Sequence, residues 1–371
     1  MLAAIPSSTM IHIKKYAYML FALPMAFPLI SWWAAREWGH LNLFAWGTVL
    51  FVFGVVPILD ALLGQDPANP DEASQVPQME QEMYYRLLTL AFVPGYLALI
   101  LWGAHIFTTA PFSTVGAVGW LMSVGTVGGL AITVAHELIH KDTRYEQWVG
   151  GILLSMICYG GFKVEHLRGH HVNVSTPEDA SSARYNQSLY AFLPHAYLHN
   201  FLNAWKLQKA HLARKGLSLW SLKNELIWWY ALSAAWLVLF SVLWGWKGAM
   251  FFLGQAFVSF TLLEIVNYLE HYGLHRRKLP NGRYERTRPE HSWNSNHLLS
   301  NLFLFHLQRH SDHHAYAKRR YQVLRHHDTA PQLPAGYPTM VLLALIPPLW
   351  KRVMNPRVEA YYQGELDQLT P

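Results

Sequence analysis

The chain has one cysteine, Cys158, in 371 residues. That excludes an internal disulfide and any thiolate-held iron–sulfur cluster. It is also poor in charge: 14% of residues are Asp, Glu, Lys or Arg, against roughly 25% in an average soluble domain. The deficit argues against a water-exposed globule. Neither an internal repeat nor a low-complexity tract interrupts the chain. The net charge of +6 does not imply a nucleic-acid partner, because a membrane protein with basic loops gives the same total. No nucleic acid is expected.

What remains is apolar, with 52% hydrophobic residues gathered in blocks. A run of about 20 apolar residues crosses roughly 30 Å of hydrocarbon. On that measure the blocks predict six transmembrane helices, over residues 17–35, 41–63, 87–107, 114–136, 226–246 and 248–270. Residues 1–16 read as a short arm ending in Lys14 and Lys15. The first block exceeds the 7–15 apolar residues usual in a cleaved signal peptide. Residues 137–225 and 271–371 are too polar to span and form a helical cap, all in one domain of the all-α polytopic class. Within the cap, residues 150–161 suit a dipping or buried helix. Residues 189–222, with Lys206, Lys209, Arg214 and Lys215 among aromatic and aliphatic neighbours, suit either an interfacial helix or a solvated basic face.

Orientation follows from the basic residues. With the N-terminus inside, the outer loops hold only Arg36 and Lys247, and the other 27 of 29 Lys and Arg fall on the inner side. The positive-inside rule then puts both termini and the cap in the cytoplasm, as in an inner-membrane protein with basic loops. Tryptophans 32, 33, 38, 228, 229, 244 and 246 lie near span ends, at headgroup level, where they serve the membrane and not the ligand.

The chemistry is carried by histidine. His310, His313 and His314 stand at i, i+3 and i+4, a spacing that stacks them on one helix face. His136 and His140 lie in His136-Glu-Leu-Ile-His140; His166, His170 and His171 in Glu165-His-Leu-Arg-Gly-His-His171; and His271 in Asn267-Tyr-Leu-Glu-His-Tyr-Gly273. Nine imidazoles are too many for one zinc, which takes about four ligands. Two irons with four or five nitrogens each would use the set. The fourth and sixth spans run into His136, His140 and His271, so topology brings all four groups to one side.

Neighbouring residues take supporting roles. Glu137, Glu165, Glu270 and Asp312 adjoin proposed ligands and suit the task of accepting the other imidazole N–H from behind. Outward from His136 on its own face lie Ile132, Gly129 and Gly128; below His271 lie Asn267, Glu264 and Leu263. Gly128, Gly129, Ile132, Leu263 and Asn267 are therefore candidates for a substrate channel. Gly125 and Gly129 also form a helix-packing G-x-x-x-G. His291, His297 and His306 lie near the last group, whereas His12, His40, His105, His195, His199 and His211 are scattered. His136-Glu137-Leu-Ile-His140 by itself also fits an intramembrane zinc metalloprotease with Glu137 as base. A metal transporter would spread its histidines along the spans near the midplane.

At these motifs, and at Ser292-Trp-Asn-Ser-Asn296 and Asn301-Leu-Phe-Leu-Phe-His306, the chain resembles the integral-membrane alkane 1-monooxygenases, non-haem di-iron enzymes. The resemblance covers nearly the whole chain. It implies terminal hydroxylation of medium- to long-chain n-alkanes with O2, and electrons from reduced rubredoxin fed by an NAD(P)H-dependent reductase. It carries over His136, His140, His166, His170, His171, His271, His310, His313 and His314 as the iron ligands. Rubredoxin needs two C-x-x-C pairs and would be a separate or fused partner. Arg276, Arg277, Lys278, Arg283, Arg286 and Arg288 are candidates for its docking face, or for phospholipid contact. The nearest rivals, histidine-box fatty-acid desaturases and ring-methyl hydroxylases, share these boxes and differ in product.

Overall fold

The computed structural model describes residues 7–363. Residues 1–6 of the N-terminal arm and 364–371 of the cap lie outside the described residues. The described residues are helical, with isolated bridges and no named strand. Four helices are long and apolar enough to cross a membrane: α1 (Thr9–Trp38), α3 (Met83–Thr109), α4 (Thr114–Ile139) and α7 (Glu225–His271). Between the first two of them runs α2, the shorter apolar Gly47–Leu63.

Three boundaries differ from expectation, each for a physical reason. α1 starts well before residue 17 because Lys14, which read as a flank, is buried and neutralised by Asp66 at 2.7 Å. The 41–63 stretch is not one regular helix. It breaks after a turn at Leu41–Phe44 and contains a π stretch at Phe51–Val55. The break lets Ala45 hand its carbonyl to Ser123 Oγ (2.7 Å) and Asn42 accept the Ser113 N–H (2.8 Å). α7 runs on through the predicted break at 247, and the reversal falls slightly earlier, at Trp244 and Gly245, whose φ of 62° suits glycine.

α7 folds back on itself there. Phe240 meets Phe252 with ring centroids 5.0 Å apart, and Ser233 and Gln255 reach the adjacent carbonyls of Ser155 and Met156. Residues about equidistant from the kink thus stand at one height, as in a helical hairpin.

α4 is the axis of the bundle. Its small residues let neighbours approach closely. A Cβ on Gly125 would lie 2.5 Å from Val258 of α7, and one on Gly128 would run into Ser259 Oγ and lie 2.7 Å from Tyr96 Oη of α3. Polar side chains close the same seams: Ser259 Oγ donates to Gly125 O (3.1 Å), Tyr96 Oη to Gln255 Oε1 (2.8 Å), and Trp120 Nε1 to Gly103 O (2.9 Å). α4 and the second arm of α7 therefore deliver their C-terminal ends side by side. Beyond them, α5 (Arg144–Met156), the turns over 162–173, α6 (Leu189–Ala213) and the short α8 (His310–Ala315) cover that end.

Candidate metal centre

The predicted groups meet where the ends of α4 and α7 converge. His136, His140, His166, His171 and His313 bring one ligand atom each within 4.8 Å of one another; His170, His271, His310 and His314 do the same beside them. Eight of the nine are buried and His171 is half-buried. Among the described residues no other histidine joins either group. His291 pairs with Glu285 (3.2 Å), His297 Nδ1 with Ser295 Oγ (3.0 Å), and His306 with Tyr18 Oη (3.1 Å).

The division differs from what spacing predicts. On a regular helix His166 and His170 would share a face. The chain instead makes a π turn over His166–His170, in which the His171 N–H bonds to His166 O, so residues five apart align. His171 joins His166, and His170 turns to the other group. Gly169 permits the turn, because a Cβ there would run into Glu165 Oε1 and sit 2.9 Å from Asn203 Nδ2. In α8, His310 and His314 stay together as i, i+4, but His313 faces the first group. The three imidazoles of α8 therefore do not share one site.

α8 is short and is held from outside. The buried Arg309 guanidinium reaches Leu324 O (2.7 Å), Asp66 O (2.9 Å) and Ala68 O (3.1 Å). Ser311 Oγ donates to Asn294 Oδ1 at 3.0 Å. The motif around Ser292 and Asn296 thus acts as scaffold.

The donor set fits a metal. A ring nitrogen is a donor or an acceptor, never both. Yet His166 Nε2 has His140 Nε2 at 3.0 Å and His171 Nε2 at 3.1 Å, and the latter has His313 Nε2 at 3.1 Å. In the second group His314 Nε2 lies 2.8 Å from His310 Nε2 and 3.2 Å from His170 Nε2. His136 Nε2 is buried without a partner. Such convergence leaves lone pairs that only a cation satisfies together. Around an ion with bonds of about 2.1 Å, nitrogens at right angles sit about 3.0 Å apart, against about 3.4 Å at tetrahedral angles. The first group matches the former. Burial, with the neighbouring histidines, holds His140, His166, His171, His310, His313 and His314 well below the ordinary imidazole range, so they are neutral and ready to ligate.

The four carboxylates expected behind the ligands are mostly engaged elsewhere. Glu137 pairs with Lys141 (2.9 Å) and accepts the Tyr321 N–H (3.3 Å). Glu165 accepts from Asn203 Nδ2 (3.1 Å), and burial pushes its carboxyl up to about 8. Asp312 takes Arg319 (2.9 Å), His327 (2.8 Å) and the Arg325 N–H (3.1 Å). Glu270 alone reaches a proposed ligand, its Oε2 standing 3.1 Å from His310 Nε2 while Tyr337 Oη donates to Oε1 at 2.7 Å. The imidazole N–H is accepted instead by Asp179, which sequence reasoning missed. Its Oδ2 is 2.9 Å from His170 Nδ1, and Ser182 Oγ and the Ser181 N–H hold it in place. Although burial lowers His170, this carboxylate raises it above the ordinary range. Only its place between two histidine boxes, among Ser and Thr, could have signalled it.

Two cavities lead to the site. The outer is apolar, about 100 Å³, and its lining includes Gly129, Leu130, Thr133, Leu263, Val266 and Leu307. The inner, about 10 Å³, is bounded by Ile132, Phe162, Asn267, Glu270 and the imidazoles of His136, His166 and His310. Thr133, Leu263, Val266 and Leu307 line both. Of the five channel candidates, Gly129, Ile132, Leu263 and Asn267 border these spaces. Gly128 does not, being closed against Ser259 and Tyr96. Of the basic residues 276–288, Arg276 is buried and bonded to Val172 O (2.7 Å), Glu285 O and Thr287, so it is structural. Arg277, Lys278, Arg283, Arg286 and Arg288 are exposed.

Residues 111–344 match the family model described as fatty acid desaturase. Over 373 aligned residues the chain is 61% identical to alkane 1-monooxygenase 2 of Pseudomonas aeruginosa, covering 100% of this chain and 99% of the relative. It is 58% identical to alkane 1-monooxygenase 2 of Alcanivorax borkumensis over 363 residues, 97% and 95% of the two chains. Similarity falls to 26% over 339 residues for the xylene/toluene monooxygenase hydroxylase component of Pseudomonas putida, covering 90% and 86%.

Proposed function

The chain belongs to the alkane 1-monooxygenase family, and on that premise we propose that it is a membrane di-iron enzyme that hydroxylates the terminal methyl of medium- to long-chain n-alkanes. The balanced reaction takes the alkane, O2, two electrons and two protons to a 1-alkanol and water. With no cysteine but Cys158, the chain cannot build a thiolate-held iron centre of its own, and reduced rubredoxin supplies the electrons from an NAD(P)H-dependent reductase. The exposed Arg277, Lys278, Arg283, Arg286 and Arg288 form a basic docking face. The protein sits in the bacterial inner membrane with six passes, counting the two arms of α7 separately and the 41–63 segment as one. The cap and both termini are cytoplasmic, as the Lys and Arg bias requires.

One observation carries the reading: nine imidazoles gather in groups of five and four, and three of them, His136, His166 and His310, line the inner of two cavities that share Thr133, Leu263, Val266 and Leu307. The five-histidine group would hold one iron and the four-histidine group the other, with Glu270 at the rim of the second. Iron with open positions supplies the activation of dioxygen. The chain's own residues do the rest. Asp179 keeps the His170 proton on Nδ1 and leaves Nε2 free to ligate. Leu263, Val266 and Leu307 exclude water between the two cavities and admit an apolar chain. A cavity that narrows toward the imidazoles admits that chain end first, which selects the terminal methyl. Asp179 and Glu270 offset the positive charge that the irons bring into a buried site.

The test is to purify the protein in detergent, count iron and zinc per chain, and assay octane and dodecane with a rubredoxin system. Two irons and 1-alkanols are expected. A single zinc with oxygen-independent activity, or an alkene product of the desaturase kind, defeats the proposal.

A further inference from the structure

At the edge where α6 ends and α7 begins, a polar pocket of about 550 Å³ is lined by Arg168, Gln208, His211, Lys215, Lys223 and Glu225. The two oxygens of Glu225 are taken, one by Arg168 at 3.1 Å and one by Lys163 at 2.9 Å. Lys215 and Lys223 are exposed and, among the described residues, paired with no carboxylate. The pocket thus presents two uncompensated ammonium groups, with the Arg168 guanidinium fixed by Gln208 (2.5 Å) at its back.

Its surroundings are apolar and uncovered. Trp220 is 74% exposed, Leu222 73% and Trp228 48%; Leu222 adjoins Lys223 in the chain, and Trp228 Nε1 donates to Leu222 O at 2.8 Å just inside the apolar crossing helix that starts at Glu225. On α6, Leu198, Phe201 and Leu202 are exposed, Lys206 and Lys209 follow toward its end, and Arg214 and Lys215 come just beyond it. Exposed tryptophan and leucine beside lysine is what a surface shows when it meets acyl chains and headgroups at once. A soluble partner would leave the aromatic rim without a use.

We propose that this pocket binds the phosphate headgroup of an anionic phospholipid, with Lys215 and Lys223 around the phosphate and Trp220, Leu222 and Trp228 against the upper acyl chains. A zwitterionic lipid fits less well, since its ammonium would find only Glu225, already paired twice. The site lies apart from the imidazoles, yet Arg168 sits in the π turn between His166 and His170. Headgroup binding therefore bears on the segment that divides the two histidine groups.

The experiment uses full-length protein in nanodiscs of phosphatidylcholine with a minority of phosphatidylglycerol, followed by extraction and native mass spectrometry of the retained lipid. The wild type should retain phosphatidylglycerol in preference to phosphatidylcholine. Each lysine removed should weaken that preference about fivefold, so K215A/K223A loses most of it and K215R/K223R keeps it. Both alanines fall at exposed positions and should leave the fold intact, which thermal unfolding verifies. Equal retention by the double alanine variant overturns the proposal. So does displacement of phosphatidylglycerol by inorganic phosphate alone, which would make the pocket a free-anion site, or equal retention of phosphatidylcholine by the wild type.

Discussion

Asp179 Oδ2 lies 2.9 Å from His170 Nδ1, with both side chains almost wholly withdrawn from solvent. The pair decides which nitrogen of His170 carries the proton. Asp179→Asn removes the anion and can present an amide N–H in its place, which favours the wrong tautomer. Removing such a partner typically costs about 10–100-fold in metal affinity or activity. The expected result is that loss in alkane turnover, with reduced iron retention after dialysis and an unchanged helical circular-dichroism spectrum. Full iron occupancy and normal turnover in the variant would show that another group orients His170.

Gly128 and Gly129 are neighbours in sequence with opposite surroundings, so they separate packing from substrate selection. Gly129 borders the outer cavity, and its nearest obstacle to a Cβ is the flexible Leu262 side chain at 3.2 Å. Gly129→Leu should fill the cavity and shorten the longest alkane oxidised, with iron content unchanged; product profiles across chain lengths report it. Gly128→Ala would push a methyl into Ser259 and Tyr96. It should instead destabilise the bundle by about 1–3 kcal/mol, the usual cost of overpacking, without shifting chain preference. Identical product profiles for Gly129→Leu and wild type would remove that residue from the substrate path.

These contrasts mark where sequence is legible. Apolar runs could be read because hydrocarbon demands about 20 apolar residues per helix, and α3 and α4 follow that demand closely. The nine histidines could be read because they crowd into short motifs. Their allocation could not. It rests on a π turn at His166–His170 and on which way α8 lies, and neither leaves a mark in residue spacing. Asp179 stayed hidden because it lies nine residues from His170 and is brought back by a Ser-rich loop. Lys14 misled the eye as a flank, since its partner Asp66 is 52 residues away.

Cys158 gives a pH-dependent handle outside both histidine groups. Burial pushes its thiol up to about 11, which favours the neutral form. At pH 8 only about one molecule in a thousand then carries the thiolate, whereas an unfolded thiol titrates near 8.5. Iodoacetamide should therefore label the folded protein very slowly at pH 8 and faster as pH rises toward 11. Denatured protein should label readily at pH 8. Rapid modification of folded protein at that pH, followed by mass spectrometry, would contradict the shielding of this half-buried thiol.

Glu137 distinguishes this site from a zinc peptidase most directly. In a peptidase it would be the base, and Glu137→Gln would abolish activity while leaving the fold alone. Here its carboxylate is bound to Lys141 at 2.9 Å, with side-chain exposures of 9% and 3%. Lys141 is further anchored by donating to Arg319 O at 2.7 Å. Breaking a buried pair from one side leaves a charge without its counter-ion and costs about 3–5 kcal/mol, whereas replacing both partners by neutral side chains is often close to neutral. Glu137→Gln should therefore lower the thermal midpoint, and Glu137→Gln with Lys141→Met should recover most of the loss together with the alkane hydroxylation lost through instability. The readouts are thermal unfolding in detergent and turnover per bound iron. If the double variant regains stability but turnover per iron stays at zero, the carboxylate acts in the chemistry after all, and its pairing with Lys141 is secondary.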